Sequence, residues 1–225
     1  MKFQNLVIQN LAKGVITLNS MELPDRILNI AKRCLVDISG VTIAGASTKS
    51  AQMMFDIASE CYATGNCNLL GHSKLINTQG AAFANGAAAH SLDYDDNCYA
   101  GIVHGSAVIF PAVLAFAQQN ALTGSDLLKG FITGLEIEFS VAKALSNDIY
   151  NKGWWTTSVL GSIGSAAGVA SLARLKNEEI ENALSLAIVG VGATRAVRGT
   201  NAKHYYCGRA AESGVMAVYL AMKGG

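Results

Sequence analysis

Two prolines, Pro24 and Pro111, are the only ones in 225 residues, and apolar side chains return at spacings of three and four more often than two. A chain patterned this way buries one stripe per helix, so the expected fold class is all-α. Pro24 suits the first turn of a helix running through Ile27, Ala31, Cys34 and Ile38 towards Gly40 or Gly45. Further helices are expected over Ala51–Tyr62, Thr78–His90 and Ser106–Gln119, the last with Pro111 near its start or at a kink. Thr123-Gly124-Ser125 should cap a helix from Asp126 to about Leu145, Asn177 should cap another, and a last helix should follow Arg209. GNCNLLGHSKLIN, with its glycine and asparagine breakers, is the one stretch suited to a short hairpin or irregular loop.

Between Gly161 and Gly168 nearly every residue is Gly, Ser or Ala, which lets neighbouring helices approach closely. A phosphate loop is the rival reading, but no strand precedes GSIGSAAG, and Arg195 follows Gly190-Val191-Gly192 where a third glycine would be needed. No period of 20 to 50 residues and no low-complexity linker divides the chain.

Hydrophobic residues make up 51% and charged ones 15%, enough apolar material for a substantial core and one compact domain. Lys plus Arg number 17 against 16 Asp plus Glu, so the overall field gives no reason to expect nucleic acid or an anionic membrane as partner. Five unclustered cysteines, an N-terminus with too short an apolar run for a signal peptide, and no run near the length of a membrane span suggest a soluble cytoplasmic protein with reduced thiols.

Against this sparse charge, the stretch LDYDDNCYAGIVHG concentrates Asp93, Asp95, Asp96 and His104. Asp93, Asp95 and Asn97 fit the first ligand positions of a calcium-binding loop, but Cys98 stands where glycine is required and His104 where a bidentate Glu belongs. One histidine beside mixed Asp and Asn is also a poor zinc or iron ligand set, so no metal is expected. The plainer alternative is that Asp95 or Asp96 caps a helix and His104 is a half-buried histidine at the helix that begins near Ser106. Arg195, Arg198, Lys203, His204 and Arg209 form a second concentration with no acidic residue between Glu181 and Glu212, and so a candidate anion pocket. A carboxylate-bearing loop facing a cationic one would suit proton abstraction next to a bound carboxylate.

Four ordered segments, ANGAAAHSLDYDDN, HGSAVIFPAVLAFAQ, GWWTTSVLGSIGSAAGVASL and AKHYYCGRAAESGV, together with the early LPDRILNIAKRCLVDISGVTIAG, resemble the MmgE/PrpD family. That family includes 2-methylcitrate dehydratases, cis-aconitate decarboxylases and iminodisuccinate epimerases. The resemblance covers nearly all of residues 1–225 and implies a multi-helix domain, usually homodimeric, which members join to a smaller α/β domain that these 225 residues are expected to lack. It further implies cofactor-independent chemistry on a small di- or tricarboxylate: a lyase of the 2-methylcitrate dehydratase kind, or else an epimerase or decarboxylase. A catalytically degenerate helical module, acting as a dimer or partner subunit, is the alternative.

Residue by residue, Asp93 matches the first acid of the family's LDFDD motif, His104 the histidine of HPSA and Lys203 the lysine of TKxxH. His104 is then the acid–base candidate, with Asp93 and Lys203 orienting the substrate or pairing with its charge. Asn97, Trp155, Ser158, Tyr206 and Arg209 are implied as substrate-binding. Asn97 stands where threonine is usual, Gly105 replaces the motif proline, Tyr206 replaces the histidine of TKxxH, and Trp155 replaces the histidine of GxHPTS.

Overall fold

The computed structural model describes residues 6–225. The first five residues of the N-terminal stretch read above lie outside it. Among the described residues nine α-helices run in chain order: α1 (Leu6–Ser20), α2 (Asp25–Gly45), α3 (Lys49–Cys61), α4 (Thr78–His90), α5 (Gly105–Gln119), α6 (Gly124–Asn151), α7 (Thr156–Leu172), α8 (Asn177–Gly190) and α9 (Asn201–Ala221). A single 3-10 turn, Arg195–Val197, precedes α9, and the strands among the described residues are the two-residue pair β1 (Cys67–Asn68) and β2 (Leu75–Ile76). They pair antiparallel, Cys67 opposite Ile76, so the breaker-rich segment is a minimal hairpin and the domain is all-α.

The layering follows from side-chain size. In α4 every residue except Gln79 is buried, and in α7 every residue except Val159. Both are built mainly from Ala, Gly, Ser and Thr, and a helix without a polar face belongs in the interior. The larger, amphipathic helices pack around them.

Small side chains set how close these helices come. A Cβ on Gly134 of α6 would lie 2.8 Å from the Gly164 carbonyl oxygen of α7, and one on Gly164 would lie 3.1 Å from the Gly134 carbonyl oxygen. In the antiparallel pair α4 and α9, a Cβ on Gly86 would sit 3.0 Å from the Gly208 Cα, and one on Gly208 would run into the Phe83 carbonyl oxygen. At the far end of this pair the Tyr219 hydroxyl donates to Thr78 Oγ1 at 3.1 Å.

Several boundaries differ from the sequence expectations. Helix α9 begins at Asn201, where Thr200 Oγ1 accepts the Ala202 N–H at 3.2 Å, rather than after Arg209. Gly208 is not a break; its missing side chain admits the Phe83 backbone. Helix α6 carries on past Leu145 to Asn151 and ends on Gly153 at φ 93, with Gly153 N–H donating to Tyr150 O at 3.0 Å and Trp154 N–H to Ile149 O at 3.1 Å. This pair of bonds and the left-handed glycine form a Schellman stop. Asn177 is the first helical residue of α8 rather than its cap, and the Glu179 carboxylate accepts the Lys176 N–H ahead of it. The capping at Thr123 is as expected, with Asp126 completing a reciprocal pair.

Gly134→Val should destabilise the fold by about 1–3 kcal/mol, the usual cost of forcing extra carbon into a close-packed contact. Gly40→Ala, at a position with open space around it, should not destabilise it. Thermal unfolding of the two variants checks the pair, and equal losses would mean that the α6–α7 approach is not limiting.

Candidate active site

The C-terminal end of α4 and the N-terminal ends of α5, α7 and α9 meet on one side of the bundle. His90 is the last residue of α4, His104 sits at the N-cap position of α5, Thr156 and Thr157 open α7, and Lys203 lies in the first turn of α9. Unpaired N–H groups and the positive ends of three helix dipoles are thus brought to one place, which favours negative charge there. Between them lies a cavity of about 500 Å³ whose walls include Asp93, Asp95, Asn97, His104, Trp155 and Lys203.

The loop from Leu92 to His104 is held in a strained shape. Asp93 has φ 56 and Ile102 φ 50, left-handed values that cost a non-glycine residue roughly 1–3 kcal/mol. The loop folds on itself through Cys98 and Val103, with Cys98 N–H to Val103 O at 2.9 Å, and Gly101 fits against Ala142 where no Cβ could. Two hydroxyls of the WTTS stretch grip its end: Thr156 Oγ1 donates to Ile102 O, and Thr157 Oγ1 accepts the His104 N–H at 3.3 Å. Asp96 caps α5, accepting Ser106 N–H at 3.1 Å and Ser106 Oγ–H at 2.6 Å. Here the plainer alternative of a capping aspartate is what the structure contains, one residue along from the working acid.

Asp95 is the centre of the network. Its buried carboxylate lies 2.8 Å from His90 Nδ1, and His104 Nδ1 lies 3.2 Å from the same oxygen, within charge-pair distance though short of hydrogen-bond geometry. Burial alone would raise the Asp95 pKa, but the two imidazoles outweigh it and hold the carboxyl well below its usual range. His104, 19% exposed, is lowered by burial and raised more by Asp95 and Asp93, so its net shift is upward from 6.5. The protonated imidazole is therefore favoured. Stabilisation from this pair is complete below the ordinary histidine pKa and is lost as pH rises through the higher folded value.

Beside this pair the Lys203 ammonium, 14% exposed, lies 2.7 Å from Asp93 Oδ1. Burial works against the Asp93 carboxylate, yet Lys203 and the nearby histidines prevail and its pKa falls. His90 fills the space between, 3.7 Å from Asp93, with its ring 4.8 Å from His104, 5.6 Å from Trp155 and 6.2 Å from His204. His204 donates to or accepts from Ser50 Oγ at 2.8 Å, and burial together with the His90 and Lys203 charges lowers its pKa.

The sequence-derived site residues divide accordingly. Asp93, His104, Lys203, Asn97 and Trp155 all line the one cavity. Ser158 is fully buried in the first turn of α7, 3.4 Å from Tyr206 O, and Tyr206 packs at the edge of the core. Arg209 faces another side of α9, where it pairs with Glu212, whose other oxygen accepts the Tyr62 hydroxyl at 2.7 Å; this staples α9 to α3. Two further residues bear on the site and were not singled out by sequence, His90 and Tyr150, and Asp95, read there only as a charged-loop residue or cap, is the support of His104. The only hint of His90 was its place in HSLDYD, and nothing local pointed to Tyr150.

Gly105 stands where the resembled motif has proline, and the structure supplies a reason. A Cβ there would lie 2.7 Å from Leu135 Cδ2 and 2.9 Å from Glu138 Oε2. Glu138 is fully buried without a hydrogen-bond partner among the described residues beneath the start of α5, and burial pushes its pKa well up.

His90, Asp93, Asp95 and His104 also bring ligand-type atoms within 4.8 Å of one another, a grouping not expected from sequence. Both imidazoles already face Asp95, and Lys203 faces Asp93. A divalent ion would have to displace that ammonium, so the set reads as an internally neutralised ion-pair network.

An all-helical domain with a polar cavity at converging helix ends is the class that this fold and site define. Residues 9–225 match the MmgE/PrpD N-terminal domain. The chain belongs to the MmgE/PrpD family. Among curated relatives, it is 31% identical over 231 residues to cis-aconitate decarboxylase of Homo sapiens, a match covering 97% of this chain and 46% of the relative. It is 29% identical to cis-aconitate decarboxylase of Mus musculus, with 97% and 46% covered. To the cis-aconitate decarboxylase-like protein oryM of Aspergillus oryzae it is 25% identical, with 97% and 47% covered. The chain thus spans about half the length of the curated relatives it matches. No helix among the described residues is long and apolar enough to cross a membrane.

Asp95→Asn should lower the His104 pKa, because burial then acts without the opposing charge. Titration of the imidazole by NMR reads this directly. A His104 pKa unchanged from that of the parent would show that Asp95 does not support it.

Proposed function

We propose that this chain provides the helical side of the active site of a lyase acting on a small di- or tricarboxylate, with decarboxylation of a cis-aconitate-like substrate as the favoured reaction. The observation that carries the reading is the Asp95-supported His104 clustered with the Lys203–Asp93 pair in the lining of one cavity at the positive ends of three helices. The names of the relatives favour decarboxylation over dehydration of 2-methylcitrate or epimerisation.

His104 turns Nδ1 towards Asp95, which leaves Nε2 as the ring's other nitrogen. That nitrogen is available to a substrate. In a decarboxylation, the carbon–carbon bond to the departing carboxylate breaks, CO₂ leaves, and the electron pair stays on the carbon skeleton. The protonated His104 then delivers a proton to that carbon, with Asp95 compensating its charge throughout. The helix ends and Lys203 hold the developing negative charge on the remaining carboxylates. Apolar Trp155, 4% exposed, walls the cavity beside His90 and limits water. No step requires a cofactor.

The same reading takes the chain as one helical domain that functions as a cytoplasmic homodimer. Exposed Val36 and Ile43, seven residues apart on one face of α2, support association, since apolar surface on one helix face gains from being covered. A catalytically degenerate module is the second reading, favoured by an indole at position 155 where the resembled motif carries an ionisable histidine.

His104→Gln should reduce turnover of cis-aconitate by two to four powers of ten, the usual general acid contribution. Turnover by the unmutated protein should fall as pH rises through a His104 pKa above 6.5, because the acid form is the active one. Activity that rises through that range would reverse the assignment from acid to base. No turnover of cis-aconitate, 2-methylcitrate or an amino-dicarboxylate would favour the degenerate module.

A further inference from the structure

Two cations line the cavity wall besides the histidine, and they are not equivalent. Lys203 is committed to Asp93 at 2.7 Å. Arg198 has no carboxylate within ion-pair distance among the described residues; its Nη1 donates to the Tyr150 hydroxyl at 3.0 Å. A guanidinium carries five donors in a planar fork, so most of Arg198's hydrogen-bonding capacity remains open. With His104 protonated, the lining histidine and Lys203 balance Asp93 and Asp95, and Arg198 is the surplus positive charge.

The position is held from several sides. Arg195 lies with its guanidinium carbon 4.2 Å above the Tyr150 ring and donates Nη1–H to Tyr150 O at 3.0 Å. Trp155 N–H donates to Ala193 O at 2.8 Å and Arg195 N–H to Gly153 O at 2.8 Å, so the segment before α9 is stitched to the Schellman stop that ends α6. Tyr150 is therefore a fixed post, and it holds Arg198 in the cavity lining.

We propose that Arg198, held on Tyr150, is the subsite for a second carboxylate of the substrate, remote from the reacting carbon, and so selects molecules with at least two carboxylates. A planar fork matches a carboxylate in two parallel hydrogen bonds, whereas Lys203, already paired, contributes charge close to the chemistry. The inference rests on the polycarboxylate reading above, but its test does not need turnover.

Calorimetric titration with tricarballylate, a non-reacting tricarboxylate, should show saturable binding to the unmutated protein. Arg198→Gln should raise its Kd at least fivefold, Arg198→Lys should not restore it, and thermal unfolding of both variants should match the parent. Crotonate, with one carboxylate, should shift less than twofold or fail to saturate with either protein. Absence of saturable tricarballylate binding by the parent, a rise below fivefold, restoration by Lys, or an equal loss for crotonate overturns the subsite. Failure of the lyase reading shows separately, as intact tricarballylate binding with no turnover of any substrate.

Discussion

Backbone-to-backbone contact between α4 and α9 at Gly86 and Gly208 sets the geometry on which the site depends. His90 lies one turn beyond Gly86, and His204 lies one turn before Gly208 in the antiparallel partner. Any side chain at this crossing would push the two helix ends apart, and with them the Asp93–Lys203 bridge and the histidine cluster around Asp95. The Gly134–Gly164 approach of α6 and α7 does the same for the other half, placing Tyr150 and Trp155 against the α7 start. Packing of interiors at this density transmits position faithfully, which is how small residues far from the cavity control it.

Converging helix ends explain why so few acidic groups suffice. Three N-termini supply partial positive charge without side chains, and Lys203 and the histidines gathered there keep the carboxylates of Asp93 and Asp95 ionised although each loses hydration. Strain at Asp93 and Ile102 is the cost of bending a short loop so that its acids face those ends. The Thr156 and Thr157 hydroxyls, with the Asp96–Ser106 cap, hold the bend.

Much of this was legible residue by residue. The Thr78–His90 helix was readable in full, because an alanine-rich run follows an asparagine able to cap it, and the Thr123 cap is a purely local signal. Glycines misled where they serve packing. Gly208 looks like a breaker in isolation and is a contact surface in the fold. Arg209 looked like part of one anion pocket because it is near Lys203 in sequence, yet six residues along a helix turn it towards Glu212 and Tyr62.

The sequence by itself determined the fold class, the placement of most helices and the identity of the charged loop, since periodicity, caps and charge density are properties of neighbouring residues. Only the tertiary structure decided that Asp95 rather than Asp96 supports His104, that His90 lies between the acids, and that Arg198 is left unneutralised. Those outcomes depend on which helix ends meet and on what each carboxylate already touches, and residues more than a hundred positions apart settle both through packing.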